Sequence, residues 1–216
     1  MAVRSPAMSS MGLRERKKEA TAERLREVAL ALVGERGFDA VSIDDIAAAA
    51  DVSKTTFYRY FETKEDVVLG KASGTLEVLQ AALDEQPLDV PAVAAARHAF
   101  RVLARSIQQD RAQKLAVDRL TRSTPSLAAR TLAHQAAWEE LVRADVDRRD
   151  PDGDAFRRWL LAGQIMGAAR SAVSWWLAEG AERELEDLVD EALAALVVPA
   201  PRAPSPRSPR TSRRNR

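Results

Sequence analysis

Apolar residues return every three or four positions through most of this chain, and no stretch alternates long enough to build a convincing strand. Over 21–36, Leu25, Val28, Ala29, Leu32 and Val33 fall on one side of a helix, with Gly37 placed to end it and Phe38 beyond. Ser42 and Asp45 have the spacing of a capping box, so a short helix starts there, and the alanines at 47–50 keep it slim enough for another helix to cross closely. Asp51 and Val52 make a turn, with Val52 filling the angle between two helices. Ser53 caps the next helix, in which Phe57 and Phe61 share an inner face, while Lys54, Thr55, Thr56, Tyr58 and Arg59 take the others. Thr63 and Asp66 repeat the capping pattern. The helix they open is expected to run through Leu69, Leu76, Leu79 and Leu83 to Pro87 as one semi-rigid connection.

Beyond Pro91 the same period predicts helices to about Gln109, over 111–122, over 126–146 behind an N-cap Thr124 and first-turn Pro125, over 154–178, and over 182–197 after Gly180. The fold class is therefore all-α: an N-terminal three-helix head carrying a helix-turn-helix, and a second helical domain, for which the resemblance given below implies ligand binding and dimerisation. Residues 1–18 form a basic flexible leader, 19–66 the head with its motif at 42–61, 67–198 the helical domain, and 199–216 a Pro/Arg-rich disordered tail.

Residues 159–176, WLLAGQIMGAARSAVSWW, are apolar around most of the helix and demand burial on more than one side. Gly163, Gly167 and Ser171 make a small-residue face, and Leu185, Leu188 and Leu193 stripe the final helix. Two such helices from each protomer would form a four-helix dimer interface; an intrachain core is the other reading. Phe100, Leu103, Ile107, Trp138, Leu141, Trp159 and Met166, with Arg119 and Arg170 as polar contacts, are candidates to line an effector cavity, although ordinary packing accounts for most of them singly.

The chemistry of the second short helix points to double-stranded DNA, because Lys, Arg, Thr and Tyr hold phosphates and touch base edges, chiefly from the N-terminal half of such a helix. Lys64 lies in the first turn of the next helix, where a phosphate is favoured. From ERGFDAVS through DDIAAAADVSKTTFYRYFETKEDV, about residues 20–69, the chain resembles the TetR family of bacterial transcription regulators. That resemblance implies a DNA-binding head on a dimer-forming, ligand-binding body, with DNA contacts at Ser42, Lys54, Thr55, Thr56, Tyr58, Tyr60 and Lys64; Ser53 and Arg59 join them from the reading of the motif itself. Thr55 stands where the family often has Gly, and Tyr60 where His is common, changes that bear on which bases are read. The body is similar to regulators associated with mycofactocin gene clusters, through KEDVVLG, Trp138 and WLAEGAERELEDLVDEALAAL, which implies a long apolar effector with an anionic head, such as an acyl thioester.

Composition narrows the alternatives. The chain's 216 residues, 46% of them hydrophobic, suffice for a head and a second core. No apolar run reaches membrane-spanning length and the N-terminus lacks a secretory apolar region, so a cytoplasmic protein without membrane contact is expected. Zero cysteines exclude disulfides and thiolate chemistry. The net charge of +1 hides six arginines after Val198, which leave the remainder at about −5. These arginines either add nonspecific DNA affinity or serve only solubility. Arg14, Arg16, Lys17 and Lys18 are either a DNA-tracking arm or a solvated leader. His98 and His134 sit in different helices without metal spacing, no Gly-rich phosphate loop or nucleophile elbow occurs, and Glu182, Glu184, Glu186 and Asp187 read as a solvated face. No enzyme activity, cofactor or metal is expected. The reading is an effector-responsive repressor released from a palindromic operator, and the alternative is a constitutive or architectural DNA-binding protein.

Overall fold

The computed structural model describes residues 13–70 and 72–196, with side chains from Lys17 onward except at 72 and 73. All regular structure among these residues is helical: α1 (Leu13–Arg36), α2 (Ile43–Ala49), α3 (Lys54–Tyr60), α4 (Lys64–Leu69), α5 (Ala72–Asp84), α6 (Ala92–Gln108), α7 (Arg111–Ser123), α8 (Pro125–Arg149), α9 (Ala155–Ala178) and α10 (Leu185–Ala194). The basic arm expected before residue 19 is helical from Leu13, with Lys17 and Lys18 exposed on α1; the side chains of Arg14 and Arg16, and the Arg-rich tail, lie outside the described residues.

The head forms as its local signals dictate. Ser42 and Asp45 close a reciprocal capping box at α2, and Thr63 and Asp66 close another at α4. Ser53 accepts from the Thr56 amide at 3.0 Å. The turn between α2 and α3 puts Asp51 at φ 54°, a left-handed conformation that aspartate tolerates better than most residues. Gly37, at φ 84°, closes α1 by donating to the Val33 carbonyl. Leu25, Ala29, Val33, Phe38, Ile46, Phe57, Phe61, Val67 and Val68 then pack into one core with Val52 at its edge. Leu127, near the start of α8, completes that core from the body side.

One sequence expectation fails here and a second holds in position only. The connection from Lys64 to Leu83 is not one helix: Gly70, at φ 85° and ψ 162°, lies in a region essentially reserved for glycine and ends α4, and α5 begins anew. Thr124 precedes Pro125 as foreseen but makes no side-chain cap bond, so proline at the first position fixes the start of α8 by itself.

In the body, α5, α6, α8, α9 and α10 surround a second core that holds Leu83, Phe100, Leu103, Ile165, Met166, Trp176, Leu185 and Leu193. The indole of Trp176 donates to the Arg183 carbonyl at 2.8 Å, tying the loop between α9 and α10 to the core. Arg149, with a side chain only 2% exposed, pairs with buried Asp145 and donates to the carbonyls of Leu83, Gln86, Pro87 and Val90. One guanidinium thus caps α5 and anchors α8 beneath the turn into α6.

Candidate nucleic-acid interface

The buried face of α3 is Phe57, packed edge-on to Tyr58 and tilted against Phe61, so the helix has one fixed rotation in the head. That rotation presents Ser53, Lys54, Thr55, Tyr58 and Arg59 to solvent, with Thr56 and Tyr60 half-buried at the edges. Thr56 and Ser53 share a hydroxyl contact of 2.9 Å, and Arg59 lies over the Tyr60 ring. The Lys54 ammonium reaches Asp44 on α2 at 2.8 Å, and that hydrogen bond raises the lysine's pKa. A phosphate or base edge meeting Lys54 must displace or share this carboxylate. Ser42 is exposed at the start of α2, its hydroxyl occupied with Asp45, whose pKa is lowered by that contact.

Lys64 has a role that the sequence did not reveal. Its ammonium donates to the carbonyls of Phe38 and Val41, both at 2.8 Å, and sits 4.1 Å from the centre of the Phe38 ring. Two of its three donors therefore hold the loop between α1 and α2 onto α4, leaving one for any phosphate. The partners lie 26 and 23 residues away, beyond any local pattern.

A second cluster joins the head to the body. Asp66, buried inside its own capping box, receives Arg130 of α8 through two hydrogen bonds of 2.7 and 2.9 Å, and His134 stands 3.5 Å away. Burial works against the Asp66 carboxylate, but hydrogen bonds from Arg130 and Thr63 outweigh it and hold its pKa below the usual value. Of the acidic residues read as a solvated face, Glu182, Glu184 and Asp187 are exposed, whereas Glu186, with Asp190 beyond them, is paired. Arg101 and Arg105 of α6 grip Glu186, Arg97 grips Asp190, and Gln108 bridges Glu184 and the Leu185 amide. Contacts with Arg105 first and Arg101 next pull the Glu186 pKa down to about 2.

The proposed cavity residues divide between the body core and the surface. Phe100, Leu103 and Met166 are buried core residues, and Ile107, Trp138 and Leu141 pack against that core. Arg119, Arg170 and Trp159 are exposed, the last at 56%, because the α9 face bearing Trp159 points outward. The dimer candidates also divide. Leu185 and Leu193 are fully covered within their own chain, and Leu188 nearly so, since α10 turns its stripe toward α6 and α9. Gly163 and Ser171 are exposed and Gly167 half-exposed, on the same α9 flank as Phe156, Trp159, Leu160 and Trp175. That row recurs at helical spacing and leaves four large apolar side chains between 41% and 68% exposed. The row of exposed apolar side chains therefore lies on α9, while the stripe of α10 is covered within the chain.

Residues 25–70 match the family described as "Bacterial regulatory proteins, tetR family", and 90–201 match "MftR C-terminal domain". The chain is 31% identical over 166 residues to the putative mycofactocin biosynthesis transcriptional regulator MftR of Mycobacterium tuberculosis, spanning 75% of this chain and 82% of that protein. It is 32% identical over 188 residues to the HTH-type transcriptional regulator TcmR of Streptomyces glaucescens, spanning 82% of this chain and 81% of the relative. In fold it is similar to the TetR-family repressor FadR of Thermus thermophilus solved in complex with lauroyl-CoA, with a TM-score of 0.56 and 24% identity, over 86% of this chain and 98% of that one. With a capped helix-turn-helix head, an all-helical body and these relatives, the chain belongs to the tetR family of bacterial transcription regulators.

Proposed function

We propose that this regulator binds a two-fold-symmetric operator as a homodimer in the cytoplasm and leaves it when an apolar effector with an anionic head binds the body. The observation that carries the reading is the polar outer face of α3. It bears Lys54, Thr55, Tyr58 and Arg59 on a helix whose rotation is fixed by Phe57, which is the form in which a recognition helix enters a major groove. Support for the dimer comes from the bare α9 row around Trp159: self-association about a two-fold axis covers the same patch on both subunits and pairs two recognition helices. Half-sites about 34 to 36 Å apart then fit successive turns of one duplex face. Support for the effector comes from the body's likeness to the MftR C-terminal domain and from a fold relative holding lauroyl-CoA.

The test is operator affinity and sedimentation measured together. Binding to a palindrome near the protein's own gene is expected to exceed binding to bulk DNA by about a thousandfold or more, to require a dimer, and to weaken with lauroyl-CoA. Trp159→Glu is expected to give monomers with weakened operator binding. Equal affinity for all DNA would make the protein an architectural binder, and operator affinity indifferent to lauroyl-CoA, oleoyl-CoA and free fatty acids would make it a constitutive regulator.

A further inference from the structure

Among the described residues, many arginines are matched by carboxylates. Arg97 has Asp190, Arg101 and Arg105 have Glu186, Arg130 has Asp66, and Arg158 has Asp147 with three carbonyls. Arg26 of α1 and Arg111 of α7 break this rule. In each, Nε and one terminal nitrogen are buried with no acceptor. The Arg26 guanidinium lies over the break between α4 and α5, where a Cβ built on Gly70 would stand 3.4 Å from its central carbon. Lys114, one helical turn after Arg111 on α7, feels Arg26 as a repelling charge. Burial first, and Arg26 second, lower the Lys114 pKa, with only Asp110 acting the other way. Buried cations left unmatched are costly unless something pairs with them.

We propose that Arg26, Arg111 and Lys114 form a site for a phosphate-bearing anion, seated between head and body over the Gly70 break. Three cations, with Asp110 the carboxylate acting on Lys114, suit a group carrying two negative charges, such as a phosphate ester or phosphoanhydride, better than a single carboxylate. Guanidinium forks match phosphate oxygens two at a time. Such a ligand touches α1 and α7 together across a glycine joint, so it would favour one setting of the head on the body. This regulatory consequence rests on the effector reading above; the binding itself does not.

The experiment is calorimetric titration of the full chain with inorganic pyrophosphate, coenzyme A and laurate, alongside operator affinity with lauroyl-CoA, for wild type, Arg111→Gln and Lys114→Gln. Pyrophosphate and coenzyme A are expected to bind saturably, laurate to leave the site empty, and either substitution to weaken the phosphate ligands by about tenfold or more. Arg111→Met is also expected to leave the ligand-free unfolding midpoint unchanged or raised, because it removes an unmatched buried charge. No pyrophosphate binding by wild type, equal binding by both variants, or a midpoint sharply lowered by Arg111→Met overturns the site. Pyrophosphate binding with an operator affinity indifferent to every ligand supports the site and overturns the effector reading. Release by lauroyl-CoA that survives Arg111→Gln and Lys114→Gln overturns the regulatory role of the site and leaves the effector reading standing.

Discussion

In the head, Leu25, Ile46, Phe57 and Val67 are wholly covered, and what remains outside α3 is polar; in the body, α9 buries Ile165 and Trp176 on one side and leaves Phe156, Trp159, Leu160 and Trp175 bare on another. The head is closed against apolar contact and open to a charged polymer. The body is closed by ion pairs along α6 and α10 and open to an apolar partner along α9. The difference teaches that the two regions offer their binding surfaces by opposite means. A recognition helix needs a rigid mount with its donors left in water, whereas an interface between like subunits needs apolar area that the monomer cannot cover.

Deep substitutions should separate the two regions most strongly. Phe57→Ala removes the pin of α3 and should cost about 3 to 5 kcal/mol; Arg149→Ala leaves the buried Asp145 with the more exposed Arg148 alone and strips the carbonyls of Leu83, Gln86, Pro87 and Val90 of their donor, and should cost about 2 to 4 kcal/mol. Hydrogen exchange is expected to show protection lost first in α2 and α3 for the former and around α5 and α8 for the latter. Uniform loss across both regions in either variant would break the distinction and make head and body one cooperative unit.

The junction gives the next largest effect. Arg130→Ala removes the partner of Asp66 while Thr63 and His134 remain beside it, so about 2 kcal/mol is expected, less than for a fully buried pair because Arg130 is one-third exposed. A double-mutant cycle with Asp66→Asn in chemical denaturation should give a coupling of at least 0.5 kcal/mol. Additive costs would mean that the clasp does not tie the two regions together.

Within the head, two lysines should behave differently. Lys64→Ala is expected to lower unfolding stability by about 1 to 3 kcal/mol, since it leaves two carbonyls of the α1 to α2 loop without their donor. Lys54→Ala, half exposed and paired only with exposed Asp44, should leave stability nearly unchanged but relax operator preference at particular base pairs by about 1 to 3 kcal/mol. Denaturation curves and competition among operator variants read the two effects separately. A stable Lys64→Ala with a reduced salt slope would return that residue to a purely phosphate-contacting role.

Acid gives the smallest contrast. Glu186 is held at about 2 in the folded chain, below its unfolded value of about 4.3, so its contribution to stability is present above the ordinary glutamate range and is lost as pH falls from there toward 2. Asp45 and Asp66 in the head are lowered in the same direction. Glu186→Gln should therefore flatten only the body's share of acid destabilisation. An unchanged pH profile would show that the ladder on α6 and α10 contributes little in solution.

What the sequence determined is local. Capping pairs three residues apart, glycine at a helix end, phenylalanines four apart and the slim alanine run satisfy or occlude groups within a turn or two, so their geometry is specified where they stand. The all-α class, the head and the exposure of Lys54, Thr55, Tyr58 and Arg59 were legible for that reason. Helical periodicity also announced that α9 had too much apolar surface for one side, but period alone carries no rotation relative to a neighbour; the arginine ladder from α6 sets the rotation of α10, sending Leu185 and Leu193 inward, and packing on α8 and α10 sets that of α9, leaving Trp159 outward. Gly70 was visible as a letter, yet a single glycine can sit inside a helix, and its positive φ belongs to the packing of α4 under α8. The grip of Lys64 on Phe38 and Val41, the Asp66 clasp and the unmatched Arg26 and Arg111 join groups dozens of residues apart. Only the tertiary structure decided them, because a charge separated along the chain has no preferred partner until the fold removes water from between the candidates.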